Sequence, residues 1–232
     1  MKQYNISVLV EEGPFDTSLA EVRKNKGEIV SAKELAKLRM LGGPEHYVSQ
    51  NGSWTSENYN YFPDGAIVIA KAANNPILQN PKVATDAHRV GEEFYLDEKT
   101  VEALREYASS DIAEAVKRGA LLVKRNNVKG NYVPESFGDE LVPRFLFGDE
   151  AQRYGAWLKD QGIKQVPHYV AGKANQPFAR GFWLGSLGVG SNMYGYNNLV
   201  YFNGCVVGVR RGQVIVPAER AAPTAGLDEL VK

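Results

Sequence analysis

The feature that most constrains this sequence is a long stretch without a carboxylate. From Gln161 to Ala218 there is no Asp or Glu, although the chain of 232 residues holds 27 acidic groups. Central strands are poor in Asp and Glu, because burying an unpaired charge costs free energy. The stretch is therefore typical of a buried sheet, but also of a surface that meets an anionic partner. Both interpretations are open at the level of sequence.

Charge and aromatic residues are distributed unevenly along the chain. Residues 1–140 hold 17 basic and 21 acidic groups, a net charge of −4, whereas residues 141–216 hold 8 and 3, a net charge of +5. The remaining residues contribute −1, so the total is zero. The basic segment also contains 12 of the 24 aromatic residues. This composition favours a surface that neutralises phosphates and stacks on bases.

We therefore predict that the C-terminal strands bind single-stranded RNA or DNA without catalysis. Basic side chains would contact the phosphates, and tyrosine rings would stack on the bases. The residues predicted to do so are Lys173, Arg180, Arg210 and Arg211 for the phosphates, and Tyr194, Tyr196 and Tyr201 for stacking.

A hairpin is predicted near the end of this segment. The runs Leu199–Phe202 and Cys205–Arg210 alternate like strands on either side of Asn203-Gly204, a pair typical of type I′ turns. The alternation places Tyr201 and Arg210 together on the outer face.

Two small residues of this predicted hairpin also bear on function. Gly208 would leave a gap on the outer face, so that Tyr201 and Arg210 flank a small stacking platform. Cys205 is the single cysteine, which excludes an internal disulfide. It lies on the apolar side of the hairpin, which favours a buried structural cysteine over a nucleophile near His168.

The whole chain predicts an α+β fold, with a mixed, largely antiparallel sheet and about four helices packed on it. Ser31-Ala32-Lys33-Glu34 has the capping-box pattern and starts the best-marked helix. Residues 74–91 and 126–143 are predicted as loops and Phe145–Phe147 as a short strand. Asn51-Gly52 is predicted as a hairpin-type turn.

One globular domain is expected over residues 1–216, followed by a flexible tail over 217–232. No apolar run approaches the roughly 20 residues of a membrane span, and the N-terminus alternates like a strand rather than a signal peptide. A cytoplasmic location without membrane contact is therefore expected.

Motifs for metal, cofactor or nucleophile chemistry are missing from the sequence. The three histidines are 42 and 80 residues apart, and there is no phosphate-binding loop or nucleophile elbow. No metal and no cofactor are predicted. An enzyme is a remaining alternative, with a site collected from distant loops. Its candidate residues are His88, Arg89, Asp139, Glu140 and His168.

A structural or assembly subunit is a second alternative to nucleic-acid binding. Interfaces between subunits are enriched in Tyr, Trp, Phe and Arg, which are frequent in the basic segment. The partner would then be a second copy of the chain or another protein.

Overall fold

The structure, a computed structural model, describes residues 4–201 and 204–213, of which 4–6 and 211–213 through the backbone alone. The strands β1 to β11 are, in order, Tyr4–Glu12, Glu28–Ile29, Ser53–Tyr61, Ala66–Ala70, Phe94–Tyr95, Ala120–Lys124, Asn131–Tyr132, Val166–Tyr169, Phe178–Leu184, Met193–Asn197 and Cys205–Gln213. The helices α1 to α9 are Phe15–Lys24, Ala32–Gly42, Tyr47–Gln50, Pro76–Gln79, Pro81–Arg89, Glu98–Tyr107, Ile112–Arg118, Leu141–Phe147 and Ala151–Asp160. Short 3-10 helices lie at Ala72–Asn74, Arg125–Asn127, Pro134–Asp139, Gly148–Glu150 and Leu187–Val189. Over these described ranges, no helix is long and apolar enough to cross a membrane.

The strands form an 11-stranded sheet in which the first and last described strands are neighbours. The order along the main path is β1-β11-β3-β9-β10-β8-β7, with β4 and then β6 continuing from β3. The short strands β2 and β5 pair with β11 and β9. Only the pairs β11–β3 and β10–β8 are parallel among the described strands. The prediction of a mixed, mostly antiparallel α+β fold is therefore confirmed in its class.

The number of helices is larger than predicted, and two of the unpredicted helices begin at prolines. The described residues form nine α-helices rather than about four. Asn75 caps α4 by accepting hydrogen bonds from the N–H groups of Ile77 and Leu78, and Pro76 occupies the first helical position. Proline is favoured there because its missing N–H is not needed. Asn80-Pro81 starts α5 in the same position, so the prediction of a loop over 74–91 is wrong.

Two further local predictions have opposite outcomes. The capping box at α2 is confirmed, since the Ser31 hydroxyl accepts from the Glu34 N–H and the Glu34 carboxylate accepts from the Ser31 N–H. The strand predicted at Phe145–Phe147 is wrong, because these residues are the last turn of α8. All three are buried, and a short apolar run does not distinguish a buried helix from a buried strand. The loop predicted over 126–143 likewise contains β7 and the start of α8.

The predicted C-terminal hairpin is replaced by a long-range pairing. Leu199 and Val200 lie in a turn, and β11 pairs with β1 in a continuous register from Glu12↔Cys205 to Tyr4↔Gln213. Phe202 and Asn203 lie outside the described residues, as do residues 214–232 with the predicted tail. The local turn signal was therefore outweighed by a partner strand about 200 residues away in the sequence.

The turn predicted at Asn51-Gly52 is also absent as a hairpin. Asn51 ends α3, and its side-chain amide donates to the carbonyl oxygen of Tyr47. The chain then enters β3 directly. Helix-ending Asn and hairpin Asn-Gly share the same residue preference, which explains the wrong assignment.

Both faces of β11 are buried, which removes the predicted platform beside Gly208. Val207 and Val209 pack in the main core, whereas Val206 packs with Phe15, Leu19 and Val22 of α1 in a second core. A Cβ added at Gly208 would lie 2.4 Å from Cγ1 of Val22. This glycine therefore lets α1 approach the sheet and leaves no gap for a ligand.

We expect Gly208→Ala to lower the free energy of unfolding by about 1–3 kcal/mol, because the new methyl group overpacks the contact with α1. Adding Val22→Ala makes room for that methyl group, so the double variant is less destabilised than the sum of the single variants. Urea denaturation measures both effects. Gly130→Ala is the matched control, because an added Cβ there meets nothing within 4 Å. A Gly208→Ala midpoint equal to that of the control would contradict the packing argument.

Candidate recognition surface

The structure divides the predicted site residues between two surfaces next to β10. Tyr194 and Tyr201 belong to an aromatic cluster, whereas Lys173 and Tyr196 line a groove that Arg180 borders. The remaining two predicted residues are placed apart from these.

Arg210 and Arg211 both lie on β11. Arg210 is exposed and stands opposite Ser7 of β1. The side chain of Arg211 lies outside the described residues. In the order of the sheet, β3 and β9 separate β11 from β10. Arg210 is therefore not brought next to the predicted tyrosines of β10.

Four aromatic side chains form what we call the aromatic patch: Tyr169, Trp183, Tyr194 and Tyr201. The parallel pair β8–β10 sets Tyr169 opposite Tyr194, and the antiparallel pair β9–β10 sets Trp183 opposite Tyr194. The rings of Tyr169 and Tyr194 stack at 4.4 Å, and Tyr201 lies 6.4 Å from Trp183. Tyr169 is 45% and Tyr201 57% exposed. Sequence analysis had included neither Tyr169 nor Trp183, because their proximity depends on strand pairing.

A buried tryptophan supports this patch from below. Trp54 is fully buried on β3 and meets Trp183 edge-on at 5.0 Å. Its indole N–H donates to Oδ1 of Asn197 at 3.0 Å, and its ring packs edge-on against Phe15 at 5.7 Å. The aromatic patch therefore packs on Trp54, whose position is fixed by ring packing and by a hydrogen bond.

The segment that carries Tyr201 is fixed by a buried histidine. Nδ1 of His88 accepts a hydrogen bond from the Leu199 N–H at 3.1 Å, and the Phe15 N–H donates to the Leu199 carbonyl at 2.9 Å. Burial and the nearby Arg180 lower the pKa of His88 to about 3. The ring is therefore neutral and able to accept. His88, a candidate for the enzyme alternative, thus has a structural role.

Arg180 is already engaged by a carboxylate that lies far away in sequence. Its Nε and Nη2 donate to Glu93 at 2.6 and 2.7 Å, and its guanidinium lies 4.6 Å from the centre of the Tyr196 ring. The pair is partly buried, with side-chain exposures of 11% for Arg180 and 23% for Glu93. A carboxylate from outside residues 161–218 therefore pairs with a basic group inside this stretch, which has no acidic residue of its own.

The four side chains of the aromatic patch carry no formal charge. The pKa of Tyr194 is raised by burial and by the neighbouring Tyr169 and Tyr201. Among the cation–ring contacts of the described residues, none involves the patch. Its chemistry is therefore that of apolar ring faces and phenolic hydroxyls.

The residues of the enzyme alternative are used in separate places. His168 is buried between the hydroxyls of Tyr59 and Tyr132, at 3.0 and 3.2 Å, and burial lowers its pKa to about 4. Arg89 pairs with acidic groups of α1 and α5, and Glu140 pairs with Lys129. Within residues 4–201 and 204–213, none of the five candidates hydrogen-bonds to another.

The cysteine is buried and protonated in the described structure. Cys205 is 2% exposed, and burial raises the pKa of its thiol to about 11, so the thiol stays protonated. Its Sγ–H donates to the Gly52 carbonyl. The described residues contain no group of three or more His, Cys, Asp or Glu able to hold a metal ion.

A buried arginine that sequence analysis missed orders the region behind the patch. Arg39 is fully buried on α2, and its donors reach the carbonyls of Val48, Asn51 and Leu184 at 2.7, 3.1 and 3.2 Å. Its Nη1 also donates to two side-chain hydroxyls, at 3.1 and 2.9 Å, those of Tyr154 and Ser191. The one signal in the sequence is its position four residues after Leu35, on the buried face of α2.

We expect Arg39→Lys to lower the free energy of unfolding by about 3 kcal/mol or more. A lysine keeps the charge but has one nitrogen in place of three, so several buried acceptors lose their donor, each at a cost of about 1–3 kcal/mol. Urea denaturation followed by circular dichroism measures the loss. The control is Arg153→Lys on α9, where the arginine side chain is 71% exposed. Equal stability of the two variants would exclude Arg39 as an organising residue.

A buried carboxylate makes stability depend on pH. Glu57 is 1% exposed, and burial raises its pKa from 4.5 to about 7, against the hydrogen bonds from Thr55 and the Ala32 N–H. Its Oε1 has no hydrogen-bond partner. Because the folded state binds this proton more tightly than the unfolded state, the contribution of Glu57 to stability is greatest below pH 4.5 and is lost as the pH rises to 7.

We therefore expect Glu57→Gln to gain stability relative to the wild type as the pH rises. Between pH 5 and pH 8 the gain in unfolding free energy is about 2–3 kcal/mol, at 1.36 kcal/mol for each pKa unit. The difference between the two proteins cancels the titration of the histidines, which both contain. Glu102→Gln, at an exposed position of α6, serves as the control. A difference that does not change with pH would contradict the burial of a titrating carboxylate.

Comparison with solved structures assigns the architecture. The chain has the C-type lectin fold: a solved structure described as "Accommodation of massive sequence variation in Nanoarchaeota by the C-type lectin fold" matches it with a TM-score of 0.67. The match covers 90% of this chain and 98% of that chain at 16% sequence identity, so it shows the fold alone. No protein-family model and no curated protein matches the sequence.

Proposed function

We propose that this chain is a non-catalytic recognition protein that binds another protein through the aromatic patch. The observation that carries the proposal is the placement of four aromatic side chains on adjoining segments, partly exposed and firmly supported. Tyr and Trp are enriched among the residues that dominate binding energy at protein interfaces. They provide a large contact area for little loss of side-chain entropy.

The charge around the patch favours a protein partner over a nucleic acid. Binding to a nucleic acid requires cations that neutralise phosphates beside the stacking rings. Arg180 is paired with Glu93, and Arg210 lies on β11, which two strands separate from β10 in the sheet. A neutral aromatic surface matches the centre of a protein interface, from which charged residues are depleted. Binding of single-stranded nucleic acid, which the sequence predicts, is the alternative result of the experiment described below.

The separation between the patch and the core also supports the proposal. The two most exposed rings, Tyr169 and Tyr201, contact other rings of the patch, whereas the hydrogen bonds of Trp54 and Arg39 lie beneath and behind them. Substitutions of Tyr169 and Tyr201 therefore leave the core intact, whereas Trp183 also packs against it. The similar solved structure is described in terms of a fold that accommodates massive sequence variation. A surface that varies without loss of the core agrees with a role in partner recognition.

We expect the double variant Tyr169→Ala/Tyr201→Ala to fold like the wild type and to lose its partner. Affinity purification from source cells with the wild type, the double variant and the control Tyr107→Ala identifies proteins that depend on the patch. Tyr107 is 49% exposed on α6, away from the patch strands. Calorimetry with the purified partner then gives a Kd at least about ten-fold weaker for the double variant, since truncated hot-spot residues cost about 2 kcal/mol or more.

Two results would overturn the proposal. One is a partner that binds the double variant as tightly as Tyr107→Ala. The other is salt-sensitive binding of single-stranded RNA or DNA that the double variant loses, which would assign the patch to nucleic acid. Light scattering of the wild type alone distinguishes a second copy of the chain from a different protein.

A further inference from the structure

The aromatic patch lies on one side of β10, and a groove of about 450 Å³ lies on the other side. Its walls are β5 with the residue before it, the segment that follows β8, and the end of β10. The side chains with polar groups in its lining are Glu93, Tyr95, Lys173, Asn175, Gln176 and Tyr196, and Phe178 of β9 also lines it. This volume is within the range of small-molecule sites.

Tyr194 and Tyr196 serve different surfaces because β10 is irregular. Tyr194 stands opposite Trp183, whereas Asn197 stands opposite Gly181, so three steps on β10 match two on β9. Such a bulge changes the side on which the following residues point. Tyr194 therefore faces the patch, and Tyr196 faces the groove.

The groove is positively charged despite its one carboxylate. Glu93 is occupied by the bidentate pair with Arg180, whose third nitrogen, Nη1, makes no hydrogen bond within the described residues. Lys173 is exposed and makes no ion pair there. One carboxylate thus faces two basic groups in and beside the groove.

A buried tyrosine hydroxyl supports the end of β10 that lines the groove. The Tyr61 hydroxyl donates to the carbonyl of Gly195 at 2.6 Å, next to Tyr196. Burial raises the pKa of Tyr61, and the charges of Arg125 and Arg180 oppose that rise. Nε and Nη2 of Arg125 are shielded from solvent and have no partner. Their charge is therefore not neutralised by a contact in the described structure.

Two exposed rings complete the groove. Tyr95 is 52% and Tyr196 43% exposed, and the guanidinium of Arg180 lies over the Tyr196 ring and holds it. Flat side chains of this kind offer faces to a planar group. The groove thus combines basic groups with two tyrosine rings on which the ring of a ligand could pack.

We propose that this groove binds a small planar organic anion, such as an aromatic carboxylate or an aryl phosphate. Lys173 and Nη1 of Arg180 contact the anionic group, and Tyr95 and Tyr196 contact the ring. This is a second site, independent of the partner surface proposed above. The same chemistry serves a free metabolite or an anionic side chain of a bound protein.

The probes for the test are phenyl phosphate and benzoate, titrated into the full chain labelled with ¹⁵N. Benzamide is the neutral planar control, and cyclohexanecarboxylate is the non-planar anionic control. We expect both aryl anions to shift the amide signals of residues 171–176 and of Tyr196, benzamide at least about ten-fold more weakly, and cyclohexanecarboxylate more weakly than benzoate. Equal affinity for benzamide, or no shift at about 10 mM aryl anion, overturns the proposal.

Matched variants test the assigned residues. Lys173→Gln weakens phenyl phosphate binding by about ten-fold, since one direct cationic contact is lost, whereas Lys164→Gln, at another exposed lysine, does not change it. Glu93→Gln strengthens binding, because Arg180 loses its competing carboxylate. Thermal melts confirm that each variant is folded. Equal affinities of Lys173→Gln and Lys164→Gln overturn the site.

An aryl phosphopeptide separates the two sources of the anion. Binding of a phosphotyrosine peptide as tight as that of phenyl phosphate indicates an anionic side chain of a protein, whereas exclusion of the peptide indicates a free small molecule. Both outcomes support the groove as an anion site, and neither depends on the partner of the aromatic patch.

Discussion

The buried guanidinium of Arg39 connects the helices and strands that support the aromatic patch. Arg39 donates to neutral oxygens of α3, β9 and α9 and of the segment after β9. It has no carboxylate among these partners, so carbonyl and hydroxyl dipoles alone compensate its charge. One of those partners, Ser191, has a left-handed backbone with φ of 53°, which is unfavourable for a residue with a side chain. The hydrogen bonds from Arg39 and to Tyr154 hold Ser191 there, and the chain enters β10 two residues later.

Sequence reasoning succeeded where structure depends on neighbouring residues. The capping box at Ser31 and the α+β class follow from local patterns. It failed where segments distant in sequence pair, because β11 pairs with β1 and not with the strand predicted at 199–202. The loop predicted over 74–91 failed for a different reason. Two helices start within residues 75–81, each at an Asn-Pro pair, and Asn-Pro is common to turns and to helix starts.

The candidate site shows the same limit. Tyr194 and Tyr201 could be predicted as site residues, but Tyr169 joins them only through the parallel pairing of β8 with β10. Arg180 was predicted to be a free cation because its own segment lacks acidic residues. Its carboxylate partner lies 87 positions earlier in the chain. A stretch without acidic residues therefore indicates a buried sheet more directly than it indicates a free positive surface.

The pairing of β1 with β11 has a consequence for how the chain folds. Among the described strands β1 pairs with β11 alone, and their residues are about 200 positions apart. Loop-closure entropy delays such contacts, and folding slows as they become more distant in sequence. During synthesis β1 emerges before β11 and has an unpaired edge until β11 has been made. Unpaired edges invite association with other chains, so β1 is the segment at which we expect chaperones to act.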